Sequence, residues 1–278
     1  MKKVKTITPI PKKIKIKKDK KKVPKFGGSY MTLYGSETIR KSIEENRKIL
    51  DYICVIHQTE TLFGTSCLDE QKMFEELNKL KSEKLIDDII VCNKYADETV
   101  TQFIIRKRNI GLNLCKVNSC DYIVPLDADE IYLKESKDFV LNNDFDTYYT
   151  SIKTYYCDPS AFFIDNYYVP FCYKVNSRTF YEKYDNSLIV DPLRSMKEDR
   201  FVLIPDQYMH HYSVTKNLIE IKMANNIGKL SNTLVMDMWN YMLAFIECEF
   251  DGSEAIVFDH AMQQKRIPLT KDVNSPWR

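Results

Sequence analysis

The sequence predicts an α/β protein: a mostly parallel, doubly wound sheet followed by a helical C-terminal region. Three observations predict it. Short apolar, β-rich runs alternate with longer segments of helical spacing between residues 28 and 130. The last of these runs ends abruptly in Asp127-Ala128-Asp129-Glu130, just past a strand's carboxyl end, where open α/β sheets hold their ligands. The chain of 278 residues is 44% hydrophobic and 29% charged, enough to bury a core, yet it has only 7 glycines. Collagen-like and propeller architectures are excluded by that scarcity.

The elements follow in order. Residues 30–34 form a short strand, and residues 37–50 a helix for which Ser36 is the expected N-cap. Residues 52–57 are apolar throughout, as in a parallel strand covered on both faces. Met73, Phe74, Leu77 and Leu80 give residues 68–83 helical spacing, and residues 86–92 make the next strand. Residues 99–117 return to a helix through Phe103, Ile104, Leu112, Leu114 and Cys115. Residues 122–126 are the strand that delivers the acidic tetrad. From Phe145 the chain turns to Tyr- and Phe-rich strands and then to helix. The apolar stretch 233–250 is interrupted by Asp237, Asn240 and Glu247, so it predicts a buried helix rather than a membrane span. Three regions result: a basic arm at 1–27, a half of alternating strands and helices at 28–135 and a Tyr- and Phe-rich half with C-terminal helices at 136–278.

Charge is distributed unevenly. Residues 1–26 carry twelve lysines against Asp19 alone, a net +11, while the remainder holds 29 basic against 38 acidic residues, a net −9. One reading of the arm is a solvated, flexible tail. The other is contact with a polyanion, and the absence of arginine from it favours phosphate neutralisation over base readout. Eight scattered cysteines without a CxxC pair predict reduced thiols in a cytoplasmic protein. The excess of Lys, Ile, Asn and Tyr over Gly and Ala points to an AT-rich genome such as a bacteriophage's, with the host cytoplasm as location.

The chemistry concentrates at Asp127 and Asp129. Two carboxylates on a bend suit Mg²⁺ or Mn²⁺, with a bound diphosphate supplying further oxygens. The plain alternative is a charged turn. His210 and His211 offer an imidazole ligand, or are adjacent loop histidines with one packed and one solvated. His57 belongs to the core; His260 has no assigned role. Arg106, Lys107 and Arg108 make either a diphosphate contact or a solvated helix face. No GxGxxG follows a strand, which excludes a Rossmann dehydrogenase, and no Gly-rich triphosphate loop marks a nucleotidyltransferase.

Residues 30–129, and more loosely those up to 226, resemble glycosyltransferase family 2 and its relatives of the GT-A fold. The resemblance is carried by Thr32-Leu33-Tyr34-Gly35-Ser36-Glu37, Lys107-Arg108-Asn109, Asp127 with Asp129, and Met209-His210-His211-Tyr212-Ser213-Val214-Thr215-Lys216, then Lys222 and Asn225. Gln58 and Thr59 stand where the family has an acidic residue for the base or ribose. The resemblance implies a metal-dependent, inverting transfer of a sugar from a nucleotide sugar, UDP above others, to a hydroxyl. It places Tyr34, Gln58, Arg108 and Ala128 at the donor and Asp127, Asp129 and His211 on the metal, with His210 the alternative ligand. Glu130 orients the turn. Glu198 and Asp199 become the catalytic base, with Asp158 and Asp191 as substitutes. Hydroxymethylated pyrimidines of phage DNA are the leading acceptor and a polysaccharide or glycan the second. A nucleotidyltransferase and a non-enzymatic nucleic-acid-binding protein are the rival classes.

Overall fold

The computed structural model describes residues 23–62, 64, 66–182, 194, 196, 200–214, 233–258 and 263–277. The basic arm up to residue 22, the expected bases Glu198, Asp199 and Asp191, and Lys216, Lys222, Asn225 and His260 lie outside these residues.

The α/β class is observed. The strands β1 (Phe26–Thr32), β2 (Tyr52–His57), β3 (Asp88–Val91) and β4 (Tyr122–Asp127) pair in parallel in the order β3-β2-β1-β4. Helices α1 (Ile39–Asn46), α2 (Glu70–Ser82) and α3 (Val100–Val117) connect them. Consecutive residues of β2 explain its unbroken apolar run. Ile53 and Val55 join the core cluster beneath α1 and α2, whereas Cys54 and Ile56 join the clusters beneath α3. Thr99 caps α3 in a full capping box with Gln102, and Gly111 lets the helix approach the sheet. A Cβ at Gly111 would lie 1.8 Å from the Ser29 hydroxyl, so only glycine permits that approach.

Beyond β4 the sheet changes character. A short β5 (Glu130–Ile131), α4 (Lys134–Leu141), then β6 (Thr147–Tyr156), β7 (Ala161–Lys174) and β8 (Phe201–Val214) extend it to β4-β7-β6-β8-β5, largely antiparallel apart from β6 with β8. Among the described residues the C-terminal part has one helix, α5 (Thr233–Cys248), a hairpin of β9 (Glu254–Phe258) and β10 (Gln264–Pro268), and β11 (Thr270–Lys271) on β7. Met242, Phe245 and Ile246 of α5 pack on Tyr156 and Phe163, while Asp237, Asn240 and Glu247 are exposed. No described helix is long and apolar enough to cross a membrane.

Two local boundaries differ from expectation. The first strand starts at Phe26, so Gly27 and Gly28 lie inside it rather than before it. The first helix begins at Ile39 behind Thr38, and Ser36 caps nothing. Asp69 claims Ser36 instead: its carboxylate accepts from Gly35 N (2.8 Å), Ser36 N (2.9 Å) and the Ser36 hydroxyl (2.6 Å).

Candidate functional site

A buried polar network fixes the turn after β4. Ser42 and Asn46 on α1 both donate to the Glu130 carbonyl, at 2.5 and 2.8 Å, and the Asn46 side-chain oxygen accepts from Tyr132 N at 2.9 Å. The Tyr30 hydroxyl from β1 completes the network, accepting from Asn46 Nδ2 at 2.9 Å. Every member is engaged, so the network rigidifies the turn instead of costing stability. Gly35, with φ +109°, presses on it from the β1–α1 connection; a Cβ there would meet Ala128 Cβ at 2.9 Å. Tyr34 lies by the Asp127 and Asp129 carboxylates: burial, then the charges of Asp129 and Asp127, raise its hydroxyl far above the usual tyrosine value.

The second half of the chain delivers the histidine. β8 runs antiparallel to β5 with Glu130 opposite His211, and Tyr212 N donates to Asp129 O at 2.9 Å. Strand alternation then sends the two histidines to opposite faces. His211 Nε2 stands 3.8 Å from Asp129 Oδ2. His210 is buried on the other side, its Nδ1 2.7 Å from the Tyr155 hydroxyl, which in turn donates to Asp272 at 2.6 Å. Burial pushes His210 down to about 4, so it stays neutral.

Asp129, Glu130 and His211 each offer one donor atom, all within 4.8 Å of one another. This is not quite the expected trio, since Asp127 stands outside it. One Asp127 oxygen accepts from Arg194 Nη2, and the other, Oδ1, is buried without a hydrogen-bond partner among the described residues. Glu130 is fully buried behind the turn; its Oε2 accepts from Asp127 N and from Arg194 Nη1, both at 2.9 Å. Glu130 thereby orients the turn. Burial raises its carboxyl to about 7 even though Arg194 pulls the other way. Burial also opposes ionisation of Asp127, but the Arg194 and Arg108 guanidinium groups outweigh it and hold that carboxyl below its ordinary value.

Lys107 and Arg108 are not a solvated face. Both are buried, because Gly111 one turn later draws α3 onto β1. Lys107 Nζ donates to Gln58 Oε1 (2.8 Å) and Thr32 O (3.3 Å), across the carboxyl ends of β1 and β2. Gln58 Nε2 donates to Glu60 O at 2.8 Å, so both ends of this side chain are engaged within the protein. Burial pushes Lys107 down to about 7 against the raising influence of Asp127. His57 sits in the core with Nδ1 3.1 Å from the Thr32 hydroxyl, while its Nε2 is buried without a hydrogen-bond partner among the described residues. Asp158 caps a turn by accepting from Ser160 N and Oγ at 2.7 and 2.8 Å.

Arg194 was not legible in the sequence. It lies 67 residues beyond Asp127 in Asp191-Pro192-Leu193-Arg194, which has no local pattern. Its place is set by long-range contacts: the Tyr173 hydroxyl donates to Arg194 O at 2.8 Å, and a bridge pairs Met196 with Tyr181. Asn109 on α3 clasps Tyr181 reciprocally, at 2.9 and 3.0 Å.

No family model and no curated protein match this chain. Solved structures do. TarS of S. aureus is 11% identical with a TM-score of 0.43 over 80% of this chain and 43% of its own. Glucosyl-3-phosphoglycerate synthase from Mycobacterium tuberculosis, in complex with Mn²⁺, UDP and phosphoglyceric acid, is 11% identical with a TM-score of 0.28, covering 48% of this chain and 43% of that one. The same enzyme with Mn²⁺, UDP and glucosyl-3-phosphoglycerate gives 0.27 at 11% identity, over 48% and 44%. This chain thus spans less than half the length of each. At that distance the site's own residues carry the functional reading.

Proposed function

We propose that this chain is a metal-dependent glycosyltransferase that uses a nucleotide sugar, with UDP the leading nucleotide. The observation that carries the reading is the meeting of the Asp127–Glu130 turn with His211, 81 residues beyond Glu130, at the carboxyl end of a central parallel strand. Carboxylate oxygens with one imidazole suit Mn²⁺ ahead of Mg²⁺, and the buried, unpartnered Asp127 Oδ1 is an atom that a cation satisfies. Asp127, Asp129 and His211 are the proposed ligands. The metal would offset the charge that develops on the departing diphosphate.

The remaining roles belong to the chain. Tyr34, Gln58, Arg108 and Ala128 are the proposed donor contacts, with Lys107 and Arg108 adding positive charge beside the diphosphate. Gln58, braced by Lys107, shapes the floor of the base site in place of the carboxylate that relatives have there. Glu198 and Asp199 are the proposed base that takes the acceptor's proton. The arm, net +11 on an acidic body, favours a polyanionic acceptor that carries hydroxyls. Hydroxymethylated pyrimidines of phage DNA come first in that class and an anionic polysaccharide or glycan second.

The test is turnover of a panel of UDP-sugars with Mn²⁺, followed by mass spectrometry of the products. Asp129→Asn is expected to lower kcat at least a hundredfold while thermal stability stays within about 1 kcal/mol of wild type, because a ligand is lost and not core packing. Full activity of Asp129→Asn in metal-depleted buffer would refute the assignment.

A further inference from the structure

We propose that Arg194 is a built-in counter-cation that competes with the divalent ion for the Asp127–Glu130 carboxylates, so that the ion binds the free protein weakly until a diphosphate joins it. The proposal rests on the metal-centre reading above. Arg194 Nη2 contacts Asp127 Oδ2 and stands 2.7 Å from Glu130 Oε1, while Nη1 donates to Glu130 Oε2 at 2.9 Å. This bidentate fork is nearly excluded from solvent, with 5% of the Arg194 side chain exposed. It takes up both Glu130 oxygens and one of the two on Asp127.

Electrostatics gives this arrangement a consequence. Three carboxylates crowd the turn, and Arg194 and Arg108 already act on Asp127 from within the protein. A dication joining Asp127 would lie within a few ångströms of a guanidinium that is itself buried, so water screens the repulsion between them only in part. The free protein therefore attracts the ion less than three carboxylates alone would. A nucleoside diphosphate reverses the balance, because its negative oxygens can face both the ion and the arginines. Such coupling is reciprocal: whatever factor the nucleotide gives to metal affinity, the metal gives to nucleotide affinity.

Calorimetric titration with Mn²⁺ alone, UDP alone and each in the presence of the other tests this on the full chain. For the wild type, UDP is expected to tighten Mn²⁺ at least tenfold, and Mn²⁺ to tighten UDP by the same factor. Arg194→Gln should bind Mn²⁺ alone at least tenfold more tightly than wild type, and the mutual factor should shrink. Arg194→Lys, which keeps the charge, should stay near wild type. Glu130 loses its partner in Arg194→Gln, so the pair Arg194→Gln with Glu130→Gln serves as the second variant should the first not fold. Equal Mn²⁺ affinity in wild type and Arg194→Gln overturns the proposal, and weaker binding in Arg194→Gln makes Arg194 a positioning residue instead. If no variant binds Mn²⁺ even with UDP present, the metal-centre reading itself fails and takes this proposal with it.

Discussion

The two adjacent histidines separate by the alternation of a single strand. His211 faces Asp129, and His210 faces Tyr155 and Asp272. His211→Ala is therefore expected to weaken Mn²⁺ binding with little effect on stability, since its side chain is 28% exposed. His210→Ala should cost about 2–4 kcal/mol of stability through a lost buried ring and hydrogen bond, and leave Mn²⁺ affinity unchanged. Chemical denaturation and metal titration of both variants check the split; the reverse ranking would move the ligand to His210. A pH dependence follows from the same residue. His210 and His57 are both held at about 4 by burial, below the unfolded value near 6.5. The folded state binds fewer protons there, so their contribution, complete above pH 6.5, is lost as pH falls from 6.5 towards 4. Glu130, raised to about 7, acts in the opposite direction, favouring the fold less as pH rises from about 4.5 to 7. His210→Phe should consequently lose less stability than wild type between pH 7 and pH 4.5. An unchanged pH slope in thermal melts would show that His210 titrates normally.

At the scale of elements, the parallel half was readable because each strand and helix signals itself locally. β2 is an uninterrupted apolar run, α3 opens with a Thr99/Gln102 capping box, and the acidic tetrad ends an apolar strand. In the antiparallel half the Tyr- and Phe-rich strands were readable and β6 with β7 is a local hairpin, but the pairings of β8 with β5 and β6 span separations that no local pattern encodes. β8 pairs with β5 across about 80 residues, and Arg194 reaches Asp127 across 67. Ser36 misled as a helix cap because Asp69, 33 residues away, outcompetes the helix for it. The two readings of Lys107 and Arg108 stayed open in the sequence because their burial depends on Gly111, and a close approach of helix to sheet leaves only a glycine as its trace. That dependence is testable. Gly111→Ala should lose about 1–3 kcal/mol by driving a methyl group into Ser29, with Ser29→Gly in the same chain restoring most of it. If the double variant recovers nothing, the contact between α3 and β1 is not what the residue serves.

For the whole molecule, the acidic body and the basic arm divide the work proposed here between chemistry and acceptor capture. Lys25, just ahead of β1, donates from N to Asp121 at 2.7 Å and from Nζ to Asn118 O at 2.9 Å, and a truncation of residues 1–22 keeps both bonds and all of β1. With a polyanionic acceptor, that truncation should raise KM and flatten the dependence of log K on log salt by up to about 0.9 per lost phosphate contact. Turnover at saturating acceptor should hardly change. An unchanged KM and salt slope would reduce the arm to a solubility tail and remove the main support for DNA as acceptor. A crystal grown with Mn²⁺ and UDP, measured at the manganese absorption edge, tests the turn after β4 as the metal centre. One anomalous peak held by Asp127, Asp129 and His211, with the diphosphate completing the shell, is expected. A peak elsewhere, or UDP bound with no manganese beside Asp129, would contradict it.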